Sequence, residues 1–414
     1  MKTKLLFVQR RFLIVLLFAL MFACLIAGAT TSVAYAAGEH TDHSGWNTLS
    51  GTLNDRVLPD GNYVLTDDLI FFQYSYYPSE STVENIVWCL NGHQLVNDSP
   101  LMGDPPMIMN SSNGRVFTIC DCTGKGGVDS LITVGISLSN VSLYNSSVYD
   151  YYNTVTTIDG NTKIYSGKVY ASYGGNMIIG GNTNIETGVK FTVENNGHLI
   201  INGGTVRCDI NVTGGTCDIS GGTFYGAINV SGGTCNITGG TFASPINVSG
   251  GTCNITGGKI STSQYYTNDP GTPQGAVVVN TGGTCTIGGT AQITGNRVDY
   301  GGAVCVNGGT CTISGNNITK NNVTYGAVYV VDGICNIEKD AVISGNKSSY
   351  NGGGVYMRNG TCNIRGTITD NYTDSYCHGG GVYVLGGTCN ISSTGTVKNN
   401  SATLCGGGVY VASG

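Results

Sequence analysis

Apolar residues recur along the carboxy-terminal half of this chain in runs of only three or four positions, alternating with polar ones and broken by glycine. Alternation of that kind belongs to strands with one buried side. From residue 214 the text Gly-Gly-Thr-Cys returns at 232 and 250, a strict period of 18 residues, and each period also holds a Gly-Gly-Thr-Phe turn and an Ile-Asn-Val run such as Ile228 to Val230. From residue 275 the unit lengthens to between 24 and 27 residues but keeps three parts in fixed order. One is Val-Tyr-Val or a variant, at 304–306, 328–330, 355–357, 382–384 and 409–411. The next is Cys-x-Ile, starting at Cys285, Cys311, Cys335, Cys362 and Cys389. The last is an Ile/Val-x-x-Asn step ending at Asn296, Asn321, Asn346, Asn371 and Asn400.

Strands this short are not stable alone, and a three-part unit returning to the same text has neither hairpin nor helix periodicity. Winding the chain so that equivalent strands stack in parallel gives each coil its hydrogen-bond partners. The fold expected is therefore all-β: a right-handed parallel β-helix, a β-solenoid with three short strands per coil, about ten coils long. Glycine at the corners supplies positive φ, and asparagine both tolerates that region and can ladder its amide along the stack.

Alternation also assigns directions. In Cys-x-Ile the outer residues share a face, so the cysteines form a buried ladder of thiols, packing as small hydrophobes. If Val328 and Val330 point inward, Tyr329 points outward, and so do Tyr356, Tyr383 and Tyr410 in successive coils. This exposed tyrosine ladder is the candidate ligand-binding face, since a tyrosine ring stacks on a sugar ring while its hydroxyl stays wet. Its competing role is to stabilise the sheet. Cys377 and Cys405, in corresponding loops before a glycine-rich run, are the candidate disulfide.

Residues 1–36 stand apart. Lys2, Lys4, Arg10 and Arg11 precede an apolar stretch from Phe12 to Ala29, and Ala34-Tyr35-Ala36 offers a small-x-small cleavage site, the three parts of a secretory signal. Its removal would take four positive charges and no negative ones, moving the net charge from −6 to −10. A nucleic-acid partner is not expected of so acidic a chain, and no membrane span is expected in the mature one. With 65 glycines and only 11% charged residues, the composition is too glycine-rich for helices and too apolar for disorder. Residues 37–150 are less periodic and read as an irregular cap with the first coils, ahead of the repeats at 151–414. The last coil breaks off at Gly408 to Gly414, which suggests truncation.

The front text Leu58-Pro59-Asp60-Gly61-Asn62-Tyr63-Val64-Leu65-Thr66-Asp67-Asp68, with Cys89-Leu90-Asn91-Gly92-His93 and Cys120-Asp121-Cys122-Thr123-Gly124, resembles that of adhesin-like β-helix surface proteins of Gram-positive gut bacteria. The Ile-x-x-Asn to Gly-Gly-Ala-Val alternation is similar to the repeats of chlamydial polymorphic outer-membrane proteins. The resemblance covers nearly all of the mature chain and implies a secreted or wall-associated solenoid with an adhesive role, its partner a host or cell-wall glycan or protein. It supplies no catalytic residue, and the chain departs from both groups in lacking a sorting signal or translocating barrel.

Enzymatic chemistry must be weighed, because β-helices also carry polysaccharide lyases and glycoside hydrolases. These need converging carboxylates or a Ca²⁺ cluster. Beyond residue 200 the acids are scattered; His378 near Asp370 and Asp374 reads as a loop residue, and Asp67-Asp68 as a turn before an apolar strand. No catalytic residue is assigned. Cys89, Cys120 and Cys122 with His93 hint at a metal, but no second Cys-x-x-Cys or paired histidine completes a site, so core packing is expected there and neither metal nor cofactor is assigned. The outward threonines beside Cys285 and Cys311 would suit ice binding, but most coils carry Asn or Asp instead. Asn-x-Ser/Thr sequons read as corner residues. The function expected is a non-enzymatic, secreted or surface adhesin or spacer, with the β-helix polysaccharide enzyme as its alternative.

Overall fold

The computed structural model describes residues 43–413 except 54–61, 72–84, 98–106, 110–115, 124, 130, 151–153, 263–271, 316–317 and 375. The signal-like segment 1–36 lies outside the described residues, as do residues 58–61 of the text that carries the resemblance.

The described chain is all-β, a parallel β-helix in which strand pairings run from one coil to the next. Three faces follow one another around each coil. The first face holds the Cys-x-Ile strands, such as Thr216–Ile219, Thr234–Ile237 and Thr252–Ile255. The second holds two- or three-residue strands such as Thr223–Phe224, Gln292–Thr294 and Thr367–Thr369. The third holds Ile210–Val212, Ile228–Val230 and, further on, Val355–Met357 and Val382–Val384.

Register is continuous on the first face. One inward column runs Tyr63, Trp88, Ile119, Leu138, Ile158, Ile179, Ile201, Ile219 and on through every Cys-x-Ile isoleucine to Ile391, fifteen rungs in all. Strand spacing makes this a rod on the order of 70 Å long. The rod exceeds the ten coils expected, because the front strands stack in the same register as the repeats although their connections vary in length.

The core is the interior of the coil, filled by these columns. Trp88, Phe117, Phe191, Phe224 and Phe242 are its largest fully buried side chains, and Phe224 stacks on Phe242 with centroids 4.6 Å apart. Burying each such aliphatic or aromatic side chain contributes roughly 1.5–3 kcal/mol, before the cost of ordering it. The thiol ladder is present: Cys217, Cys235, Cys253, Cys285, Cys311, Cys335, Cys362 and Cys389 stand in register, and the first seven are fully buried. Hydrogen bonding with Cys217 and Cys253, together with burial, holds the Cys235 thiol well above its ordinary pKa. Buried among apolar side chains, the sulfurs of this ladder pack as small hydrophobic groups.

Corners are cut tightly. Gly215, Gly233 and Gly251 have φ of 67°, 65° and 62°, and a Cβ on Gly233 would lie 2.3 Å from the Gly215 carbonyl oxygen. Only glycine meets both conditions.

Coils beyond residue 290 carry an addition between the second and third faces. Arg297–Val298, Asn322–Val323, Lys347–Ser348 and Tyr372–Thr373 pair as a separate four-stranded sheet. Just before these strands Asn296, Asn321, Asn346, Asn371 and Asn400 form the expected amide ladder. Each Nδ2 from Asn296 to Asn371 donates to the next residue's Oδ1 at 2.8–3.0 Å and to the carbonyl of Ile260, Ile293, Ile318 or Ile343 at 2.9–3.1 Å. The same Oδ1 atoms of Asn321, Asn346, Asn371 and Asn400 also accept from the preceding ladder residue's backbone N–H. Buried amides so fully paired fix one geometry.

Candidate functional site

On the third face the outward column changes character along the rod. It reads Asn211, Asn229, Asn247, then Val278, Cys305, Tyr329, Tyr356, Tyr383 and Tyr410. The three asparagines are half-buried and ladder their amides at 3.1 and 2.9 Å. The tyrosines also stand in register and point away from the main core, as alternation requires. They are not exposed: Tyr329, Tyr356 and Tyr383 keep only 5%, 5% and 7% of their surface, and Tyr410 is half-buried.

This corrects the expectation of an open ladder, and the cause is the added loop of each long coil. Tyr325 lies 4.9 Å from Tyr329 and 5.3 Å from Tyr356, Tyr350 packs 5.5 Å from Tyr325, and the His378 ring stacks on Tyr410 at 4.3 Å. The row itself is continuous, Tyr356 to Tyr383 at 5.0 Å and Tyr383 to Tyr410 at 5.6 Å. With Val278 and Cys305 it forms a second hydrophobic cluster outside the main core. Burial, then the neighbouring phenols, raises the Tyr356 hydroxyl above its ordinary pKa.

What reaches solvent is the roof. Tyr300 and Tyr350, at equivalent corners two coils apart, are exposed to 45% and 49%, Tyr376 at the same bend of the following coil to 84%, and Tyr372 on the short extra strand is exposed as well, whereas Tyr325 in the coil between is half-buried. Tyr300 and Tyr376 hold φ of 61° and 65°, where a bulky side chain costs about 1–3 kcal/mol. Reading by alternation missed these residues because they sit on corners; their signal was a tyrosine ahead of each glycine-rich run.

The other expected positions can also be placed in the fold. Cys377 and Cys405 occupy equivalent places in adjacent coils, with the Leu404 N–H donating to the Cys377 carbonyl at 3.0 Å. Cys377 is buried, its Sγ 3.7 Å from the Ser349 carbonyl, whereas Cys405 is exposed. Asp67 and Asp68 lie at the bend between the first and second faces within the strand Tyr63–Phe71, where Asp68 accepts from the Gln94 N–H at 2.8 Å. The acids of the repeats are engaged singly: Asp218 with His198 at 2.7 Å, Glu338 with Arg365 at 3.0 Å, and Asp374 with Lys347 at 2.9 Å. Burial alone would raise the Asp218 carboxyl, but hydrogen bonds from His198 and Asn236 outweigh it and hold that group below its ordinary value.

Of the front-coil cysteines Cys89 and Cys120 are buried and Cys122 half-buried, all outside the main core. Cys89 and Cys120 are register partners on the outer side of the first face, in a small cluster with Val64, Val87, Trp46 and Cys122. His93 does not join them; its Nδ1 lies 3.7 Å from Asp68. His43 does, with Nε2 3.9 Å from the Cys122 sulfur. Among the described residues, His43, Cys89 and Cys122 are the only three His, Cys, Asp or Glu side chains whose ligand atoms lie within 4.8 Å of one another.

The chain matches no protein-family model, no curated protein and no solved structure. Function has to be argued from the geometry. No helix among the described residues is long and apolar enough to cross a membrane.

Proposed function

We propose that the chain is an exported, non-enzymatic surface solenoid that binds glycans through the roof tyrosines of its long coils. The observation that carries this reading is the column of exposed tyrosines at Tyr300, Tyr350 and Tyr376, two of them in a costly left-handed backbone conformation that glycine or asparagine would occupy more readily. The Tyr350 ring is backed by Tyr325 and Tyr356, and a ring so held loses little entropy on stacking against a sugar face. Tyr350 and Tyr376 lie on adjacent coils and Tyr300 two coils before Tyr350, a spacing along the rod that suits a polymeric ligand, since linked sugars engage several rings at once. The signal-like start and the adhesin-like front text agree with an extracellular setting.

The polysaccharide-enzyme alternative needs carboxylates that converge. Asp218, Glu338 and Asp374 are each tied to a single basic partner, and no three acidic ligands meet among the described residues. A glycan and mucin array tests the proposal, comparing the parent chain with Tyr350→Ser/Tyr376→Ser. Binding by the parent that falls at least 10-fold in the variant, with circular dichroism unchanged, is the result expected. Equal binding by both chains, binding only to protein ligands, or turnover of a bound polysaccharide would overturn it.

A further inference from the structure

The thiols of the front coils carry an inference independent of the tyrosines. Parallel register sets Cys89 directly beside Cys120, and the turn Asp121 to Thr123 returns the Cys122 sulfur to 3.3 Å from that of Cys89. A tight turn at Ser44 and Gly45, closed by the Trp46 N–H donating to the His43 carbonyl at 3.0 Å, brings the imidazole over the same spot. The Trp46 ring packs edge-on against His43 at 5.0 Å.

The turn is held from below. Asp121, 1% exposed, accepts from the Gly92 N–H at 2.9 Å, the Gly126 N–H at 2.6 Å, and the Thr123 N–H and hydroxyl at 3.2 and 3.1 Å. Its position is thereby fixed without using either sulfur. Tetrahedral zinc, with bonds of about 2.3 Å to sulfur and about 2.0 Å to nitrogen, spaces its ligand atoms roughly 3.5–3.8 Å apart. The observed 3.3 Å for Cys89 to Cys122 and 3.9 Å for Cys122 to His43 bracket that spacing. Two cysteines, an imidazole and a rigid supporting carboxylate are a donor set suited to a thiophilic divalent cation, and unsuited to the oxygen-seeking Ca²⁺ or Mg²⁺.

We infer that Cys89, Cys122 and His43 form a zinc site that clamps the amino-terminal segment onto the outer side of the first coils. Cys120, in contact with Cys89, or a water takes the fourth position. Binding releases the two thiol protons to solvent as the thiolates ligate the cation, with no change of oxidation state. The chemical rival is a Cys89 to Cys122 disulfide, which needs the same two sulfurs and an oxidant.

The test uses the full chain, reduced and stripped of metal by a chelator, then titrated with Co²⁺ and competed with Zn²⁺. About one Co²⁺ per chain is expected, with a thiolate charge-transfer band and the visible bands of a tetrahedral site, both lost on adding Zn²⁺. Cys122→Ser, on a half-exposed turn, should abolish the bands with circular dichroism unchanged, and His43→Ala should weaken binding about 10-fold or more. Cys405→Ser, exposed and far along the rod, should change nothing. Zn²⁺ should also raise the thermal midpoint of the parent chain and not that of Cys122→Ser. No band in the reduced parent, a band that survives Cys122→Ser, or a Cys89 to Cys122 disulfide in metal-free protein purified without reductant would overturn the inference.

Discussion

The 18-residue coils between residues 205 and 262 and the longer coils beyond 290 share three faces and one register, yet the outer side of their third face has opposite chemistry. In the short coils it is a column of asparagines, half-buried and laddered, that water still reaches. In the long coils the same column becomes Tyr329, Tyr356 and Tyr383, closed off by a loop of the added segment. Alternation fixes the direction of a side chain relative to the sheet, but what lies beyond the sheet decides whether that direction leads to water. A few residues inserted between two faces create a second, aromatic core outside the first, with its own roof.

The comparison is most sharply tested by truncation. Tyr356→Ala removes a ring touching Tyr325, Tyr329 and Tyr383 and should cost roughly 3–5 kcal/mol of local stability. The matching Asn229→Ala in the short coils should cost under about 1 kcal/mol. Hydrogen exchange resolved by coil is the measurement, because a solenoid need not unfold as one unit. Similar losses at both sites would break the comparison.

The front coils offer a contrast of another kind. Asp150 points inward in a third-face column continued by Ala171, Val193 and Val212, and burial pushes its carboxyl up to about 7 against hydrogen bonds from Thr154 and the Thr156 N–H. A carboxyl with a raised folded pKa contributes stability that is whole below its unfolded value near 4 and is lost as pH rises through about 7. Exchange protection around residues 146–171 should therefore fall between pH 4 and 8, by up to roughly 4 kcal/mol. The long coils should show no such fall, and Asp150→Asn should flatten the profile. A flat profile in the parent chain would contradict the assigned burial.

The roof's anchor is tested by Asn321→Ala. It leaves the Asn296 N–H and amide without their acceptor and should cost roughly 2–3 kcal/mol, seen as faster exchange from residue 296 to 348. A smaller effect is expected of Cys235→Ala in the short coils, roughly 1–2 kcal/mol, since a buried neutral thiol is replaced by a smaller apolar group. If the thiol loss exceeds the amide loss, the ladder is not what holds the added strands.

Much of this was legible in the sequence because repeats align the protein with itself. The three-part coil, the inward cysteines and isoleucines and the asparagine ladder all follow from text recurring at fixed offsets. Tyr63, Trp88 and Ile119 belong to the same column as Ile219, but variable connections between the front strands hide it. The roof over Tyr356 was not legible, since it depends on how a corner loop folds back. His43 was missed for a related reason: it stands 46 residues before Cys89, and only the stacking of coils brings it to the sulfurs. Cys377 and Cys405 lie at matching offsets, but their burial differs, which no offset reveals.

Nitration of the folded chain with tetranitromethane, mapped by peptide mass spectrometry, tests the central claim most directly. It reads the accessibility of each tyrosine, and because phenolate is the reacting form, the raised pKa of Tyr356 adds to its protection. The account predicts that Tyr300, Tyr350 and Tyr376 react early, while Tyr329, Tyr356 and Tyr383 react at least 10-fold more slowly until the chain is denatured. Equal rates for the two sets would mean that the ladder lies open and that the long coils have no second core.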